Sequence, residues 1–144
     1  MPKSRQALEE KRIKDQARVR AYIEREQLTA VMNTTKWCEL VNVMLAMPDC
    51  APRHRIKGLR GPEPPATAWD GEWFYHPRPY ESIEWLEVEC FPLPPTQRSE
   101  CRKRIAHTLH AHSIPFSIEN GVMRIWGYLR SGCTPRWEEY VQSR

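Results

Sequence analysis

The chain has 144 residues, 40% of them hydrophobic and 28% charged, with 22 Lys+Arg against 18 Asp+Glu. This length and apolar fraction suit one domain with one core and exclude a fully disordered chain. No apolar run approaches the ~20 residues of a membrane span, and the charged start Met1-Pro2-Lys3-Ser4-Arg5 lacks the apolar stretch of a signal peptide, so the chain is predicted to be cytoplasmic, without membrane contact.

Residues 6–27 read as a polar helix with opposite charges at i,i+4 (Glu10 and Lys14, Lys11 and Asp15) and a thin apolar stripe of Ile13, Ala17 and Ala21. It is taken as an N-terminal arm, 1–27, beside a single domain, 28–144. A second helix is expected over 34–47, where Trp37, Leu40, Val41, Met44 and Leu45 recur at helical spacing, with Asn33 or Thr34 as cap and Pro48 as stop. Residues 48–68 carry five prolines and two glycines and read as a stiff connection, with a short strand near Arg55–Leu59.

Residues 72–76 and 82–90 are rich in β-forming types, separated by a turn with Pro77 and Pro79. In the second run the apolar positions change parity between Trp85 and Leu86, so a bulge there is predicted to bring Ile83, Trp85, Leu86, Val88 and Cys90 to one face. A helix follows over 97–112, with Cys101, Ile105, Leu109 and His112 on its apolar side. Residues 116–129 read as a hairpin about Asn120-Gly121, the pair that supplies two positive-φ positions for a type I′ turn. Its expected register opposes Ile118 to Met123 and Phe116 to Ile125 on the core side. Ser117, Glu119, Arg124, Trp126 and Tyr128 then face outward. The tail 133–144 could add a last helical turn. The resulting fold class is α+β: an antiparallel sheet of about four strands, from two hairpins, packed by two helices.

The five cysteines, Cys38, Cys50, Cys90, Cys101 and Cys133, are odd in number and contain no C-x-x-C. They are expected to be reduced thiols, with Cys38 and Cys101 acting as small buried hydrophobes. His107, His110 and His112 do not match a metal-binding register, since His112 points along the Ile105 stripe, so neither a metal nor a cofactor is expected. No Gly-rich phosphate loop and no spaced nucleophile–base pair is present, so the chain does not read as an enzyme.

Charge is unevenly spread. Residues 1–26 hold eight basic and five acidic side chains, and Arg53, Arg55, Lys57 and Arg60 follow without an acid. Residues 69–90 hold six acids against Arg78, together with Trp69, Trp73, Tyr75 and Trp85. Acids flanked by broad rings suit the grip of a basic protein, with Asp70, Glu72, Trp73, Glu84, Glu87 and Glu89 as expected contacts. The alternative is nucleic-acid binding through the basic arm and the 53–60 loop.

Four strings, Asn33-Thr34-Thr35-Lys36-Trp37, Trp69-Asp70-Gly71-Glu72-Trp73, Ile83-Glu84-Trp85-Leu86 and Ile118-Glu119-Asn120-Gly121-Val122, resemble a family of small, uncharacterised bacterial proteins over roughly residues 28–130. Single-domain α+β proteins of this kind resemble immunity proteins of bacterial toxin systems. The resemblance implies a non-enzymatic inhibitor that occludes a toxin domain. No residue role is carried over with it.

Overall fold

The computed structural model describes residues 4–91 and 93–139. Helix α1 spans Arg5–Arg25, strand β1 Thr29–Ala30, helix α2 Thr34–Leu45, strand β2 Arg53–Gly58, strand β3 Ile83–Glu89 and helix α3 Pro95–Ala111. Strands β4 (Ser117–Glu119), β5 (Val122–Trp126) and β6 (Tyr128–Leu129) close the order. Four strands form an antiparallel sheet in the order β2-β3-β5-β4, while β1 and β6 pair in a second, two-stranded sheet. The fold is α+β, and among the described residues no helix is long and apolar enough to cross a membrane.

The caps set the helices. Asn33 Oδ1 accepts from the Lys36 N–H at 2.8 Å, which satisfies one of the free donors at the start of α2. Ser4 does the same for α1. Trp37, Leu40, Val41, Val43 and Met44 of α2 are buried, with Cys101, Ile105 and Leu109 of α3. Together they meet Leu86, Val88, Met123 and Ile125 on one face of the sheet. Leu45, expected in this stripe, is exposed, and Val43 takes its place. No described residue of α1 is buried; the helix touches the body through Tyr22, whose hydroxyl accepts from Arg130 Nη2 at 3.0 Å.

The Asn120-Gly121 hairpin forms with both turn residues at positive φ, 52° and 78°, and Ile118 opposes Met123. Ile118 nevertheless stays 45% exposed, because it borders an open groove of about 770 Å³ between α3 and the hairpin. The first strand pair differs from expectation. The partner of β3 is β2, not residues 72–76, which form a turn. A bulge is present, but it lies at Glu84. Lys57 opposes Trp85 and Gly58 opposes Ile83, so one residue of β3 is left over there. Trp85 therefore joins Glu87 on the face away from α2 and α3. Both sheet edges are occupied by the chain itself: Asp70 bridges to His54 of β2, and Trp137 to Ser117 of β4. Residues 133–139 form no helical turn, and 140–144 lie outside the described residues.

Gly127, between β5 and β6, is the tightest backbone crossing. Its N–H donates to Glu84 O at 2.8 Å, and its carbonyl accepts from Val31 N–H at 2.9 Å. A Cβ there would sit 2.1 Å from the Ile83 carbonyl oxygen. Gly127→Ala is expected to destabilise the fold by at least about 2 kcal/mol in a denaturant titration. A neutral outcome would mean that the crossing has slack.

Candidate functional site

Strand β3 is buried along its whole length on both faces. The three glutamates expected as surface contacts are thus inside, each tied to one or two cations of the same chain. Glu84 Oε1 lies 3.1 Å from Lys57 Nζ and 2.6 Å from Arg130 Nη2. Glu87 lies between Arg55 Nε at 2.7 Å and Arg124 Nη2 at 3.1 Å. Glu89 pairs with Arg102 of α3. A carboxylate taken out of water persists only when its charge is matched and its lone pairs are bonded. The period-2 cations Arg55 and Lys57 on β2 and Arg124 on β5 meet this need, because side chains directly opposite in an antiparallel pair approach closely. Arg124 also sits over the Trp85 and Trp126 rings, at 4.0 and 5.1 Å from their centroids.

Three expectations are overturned here. Glu84, Glu87 and Glu89 are counter-charges within the protein, not a docking patch. Trp126 and Tyr128, expected to face outward, are buried: the Trp126 indole N–H donates to Ser117 Oγ at 2.8 Å, and the Tyr128 hydroxyl donates to Glu81 O at 2.9 Å. The expected basic loop 53–60 is mostly strand, and Arg55 and Lys57 are spent on the buried acids.

Asp70, Glu72 and Trp73 build a different object, the loop 69–77. His54 and Asp70 exchange two backbone hydrogen bonds of 2.8 Å. The Trp73 ring is buried edge-on against His54, with centroids 4.5 Å apart, and its indole N–H donates to Pro52 O at 2.9 Å. The His54 Nε2–H donates to Glu72 O at 2.7 Å. The Asp70 carboxylate accepts from Glu72 N–H at 2.8 Å and lies 2.6 Å from His76 Nδ1. The Glu72 carboxylate folds back to accept from the N–H groups of Phe74, Tyr75 and His76 at 2.6 to 3.0 Å. Three sequential donors on one carboxylate fix the turn without regular secondary structure.

With its base pinned, the loop holds Phe74 and Tyr75 outward, 56% and 74% exposed, ring edge against ring at 4.8 Å. These are the two most exposed of the described protein's large apolar side chains. Of the three contacts expected in this segment, none stands at the exposed tip. Trp73 is core, Asp70 and Glu72 are the frame, and Phe74, which was not singled out, stands at the tip. The signal that could have found it is Asp-Gly-Glu before a run of aromatics, a turn with a carboxylate able to bond the following N–H groups. Among the described residues, no group of three or more His, Cys, Asp or Glu side chains is placed to hold a metal ion.

The loop's protonation follows from its bonding. Burial holds the His54 imidazole below its ordinary 6.5. The N–H of His76 first, against a smaller effect of burial, and then those of Tyr75 and Phe74 hold the Glu72 carboxyl below 4.5. Burial opposes ionisation of Asp70, but hydrogen bonds from Glu72 N–H and His76, with both imidazole charges, outweigh it and keep the carboxyl below 3.8.

Two predictions follow from these two charge networks. Glu87→Gln leaves Arg55 and Arg124 without their anion and is expected to cost about 3 kcal/mol in urea unfolding; a loss below about 0.5 kcal/mol would contradict the pairing. For pH, the unfolded chain binds a proton at His54 more readily than the folded one. Stability should therefore fall as pH drops below about 6.5. Asp70 and Glu72 have depressed folded values, so their contribution is present above about 4.5 and is lost at more acid pH. His54→Gln should remove the first decline and leave the second, read as denaturation midpoint against pH. A midpoint flat from pH 7.5 to 5.5 in the parent protein would overturn the assignment to His54.

No curated protein and no solved structure matches the chain. A family model does match, over residues 19–132, from the second half of α1 through β6 and so across the charged layer and the aromatic loop. The chain belongs to the DUF6678 family, a family of unknown function.

Proposed function

We propose that this chain is a non-enzymatic protein-binding module whose docking element is the 69–77 loop. The observation that carries the reading is the pair Phe74 and Tyr75, large rings held in water by a base bonded at almost every donor. Leaving such rings exposed gains nothing for folding. A partner recess that takes them would gain their apolar area at little further entropy cost, since the loop is already ordered. For the partner we carry forward the class implied by the sequence resemblance, a toxin domain blocked by occlusion. The charge argument for a basic partner is now much smaller, because three of the six acids of 69–90 are neutralised internally. Recognition is therefore assigned to shape and apolar burial more than to electrostatic steering.

The nucleic-acid alternative keeps one supporting observation, the exposed α1 with its row of arginines and lysines. It loses Arg55 and Lys57 to the sheet.

The test starts from the protein captured by the full chain in its native cell and titrated after purification. Phe74→Ala and Tyr75→Ala should each weaken Kd by about tenfold or more, with unchanged thermal midpoint and a shallow dependence on salt. Unaltered affinity in the double variant would overturn the proposal. Tight binding to RNA or DNA with a steep salt slope would favour the alternative.

A further inference from the structure

The cysteines were expected to be reduced and unpaired. Instead, Cys50 and Cys101 are joined, with Cα atoms 5.5 Å apart across 51 residues of sequence. Cys50 ends the 3-10 turn Pro48–Cys50 that follows α2, and Cys101 lies on the buried side of α3. Cys38, Cys90 and Cys133 are free. The Cys90 thiol is an unreactive contrast: burial, with Glu89 beside it, pushes it up to about 11. The environment of Cys50 is of the opposite kind. Arg104 Nη1 lies 3.4 Å from Cys50 Sγ and 2.6 Å from Asp49 Oδ2. Arg104 comes from the next turn of α3 after Cys101, and its side chain is about half exposed. A guanidinium on a sulfur stabilises the thiolate, and a stabilised thiolate is the better leaving group in thiol–disulfide exchange.

We propose that Cys50–Cys101 is a site of reversible thiol–disulfide exchange with low-molecular-weight thiols, and that Arg104 directs it. The guanidinium beside Cys50 sets the direction of attack, because it favours Cys50 as the sulfur that leaves. An incoming thiolate attacks Cys101 Sγ, the bond between the two cysteine sulfurs breaks, and its electron pair leaves on Cys50 as a thiolate facing Arg104. A second thiolate then attacks the mixed disulfide and leaves Cys101 as a thiolate. The protein disulfide has gained two electrons, and two small thiols have become one small disulfide. Oxidation runs the same steps in reverse with a small disulfide as the oxidant. The site is separate from the aromatic loop, and its behaviour does not depend on that loop's function.

The experiment counts and times thiols in the folded full chain. Unreduced protein, denatured and reacted with an aromatic disulfide reagent, should show three thiols, and five after reduction. The native protein, incubated with excess reduced glutathione without denaturant and then tagged with a maleimide, should gain two tags while its circular dichroism is unchanged. Arg104→Gln should slow that gain by about threefold or more, and Arg104→Lys should restore much of the rate. Asp49→Asn breaks the same ion pair but leaves the guanidinium at the sulfur, so it should not slow the reaction. Five thiols in the unreduced protein would overturn the proposal, as would a bridge that opens only on denaturation. An Arg104→Gln rate equal to the parent's, or an Asp49→Asn rate slowed to the same degree, would do so as well.

Discussion

The constraint on which this structure depends is the burial of three carboxylates in one strand. β3 is one of the two inner strands of a small sheet, enclosed on both faces, and Glu84, Glu87 and Glu89 are nonetheless part of it. Each needs a cation inside the protein, because an unpaired ion in that setting costs several kcal/mol. Five basic side chains supply it, from β2, β5, the residue after β6 and α3. The pairing accounts for β2 as the neighbour of β3, for the long 59–82 connection that returns the chain, and for the stacking of Arg124 between two tryptophans. The face of the sheet away from the helices is a second, ionic core, over which the 59–70 segment lies through Ala66 and Trp69.

That layer also decides what is left for function. Charges that neutralise one another inside cannot steer a partner, so three of the six acids in the middle of the sequence add nothing to an acidic surface. What reaches solvent from the same stretch is the tip of the 69–77 loop. Its two carboxylates shape the backbone and its two outer rings face water. Anchoring runs from the sheet edge outward: β2 holds Asp70 through His54, Asp70 and His54 hold Glu72, and Glu72 holds the tip. A loop built this way keeps its conformation without a partner, which suits recognition by a preformed surface.

Much of the fold was legible in the sequence. The 3.6-residue spacing of Trp37, Leu40, Val41 and Met44 and the Asn120-Gly121 turn gave α2 and the second hairpin, with the register of Ile118 and Met123, because these signals are local. The partner of β3 was not legible by proximity, since the nearest β-rich run, 72–76, is held as a turn by Glu72. A non-local signal was present: Arg53-His54-Arg55-Ile56-Lys57 alternates cation and non-cation as Glu87-Val88-Glu89 alternates acid and apolar, and such strands are complementary across a ladder. Read as surface charge, the two segments suggested a basic loop and an acidic patch; read as partners, they predict the sheet. The Cys50–Cys101 pair and the Gly127 crossing leave no comparable trace. The first depends on where two helices meet, the second on how closely two backbones pass.

The central claim, that the β3 acids are internal counter-ions, is tested most directly by a double-mutant cycle on stability at Glu87 and Arg124, using Glu87→Gln, Arg124→Gln and the double variant. The account predicts a coupling of about 2 kcal/mol, with Glu87→Gln the worse single variant and the double variant no less stable than it, because Glu87→Gln alone leaves both Arg55 and Arg124 unmatched whereas the double variant leaves only Arg55. Free energies that simply add, with a coupling below about 0.3 kcal/mol, would show that Glu87 is not paired inside the sheet and would return the strand acids to the surface.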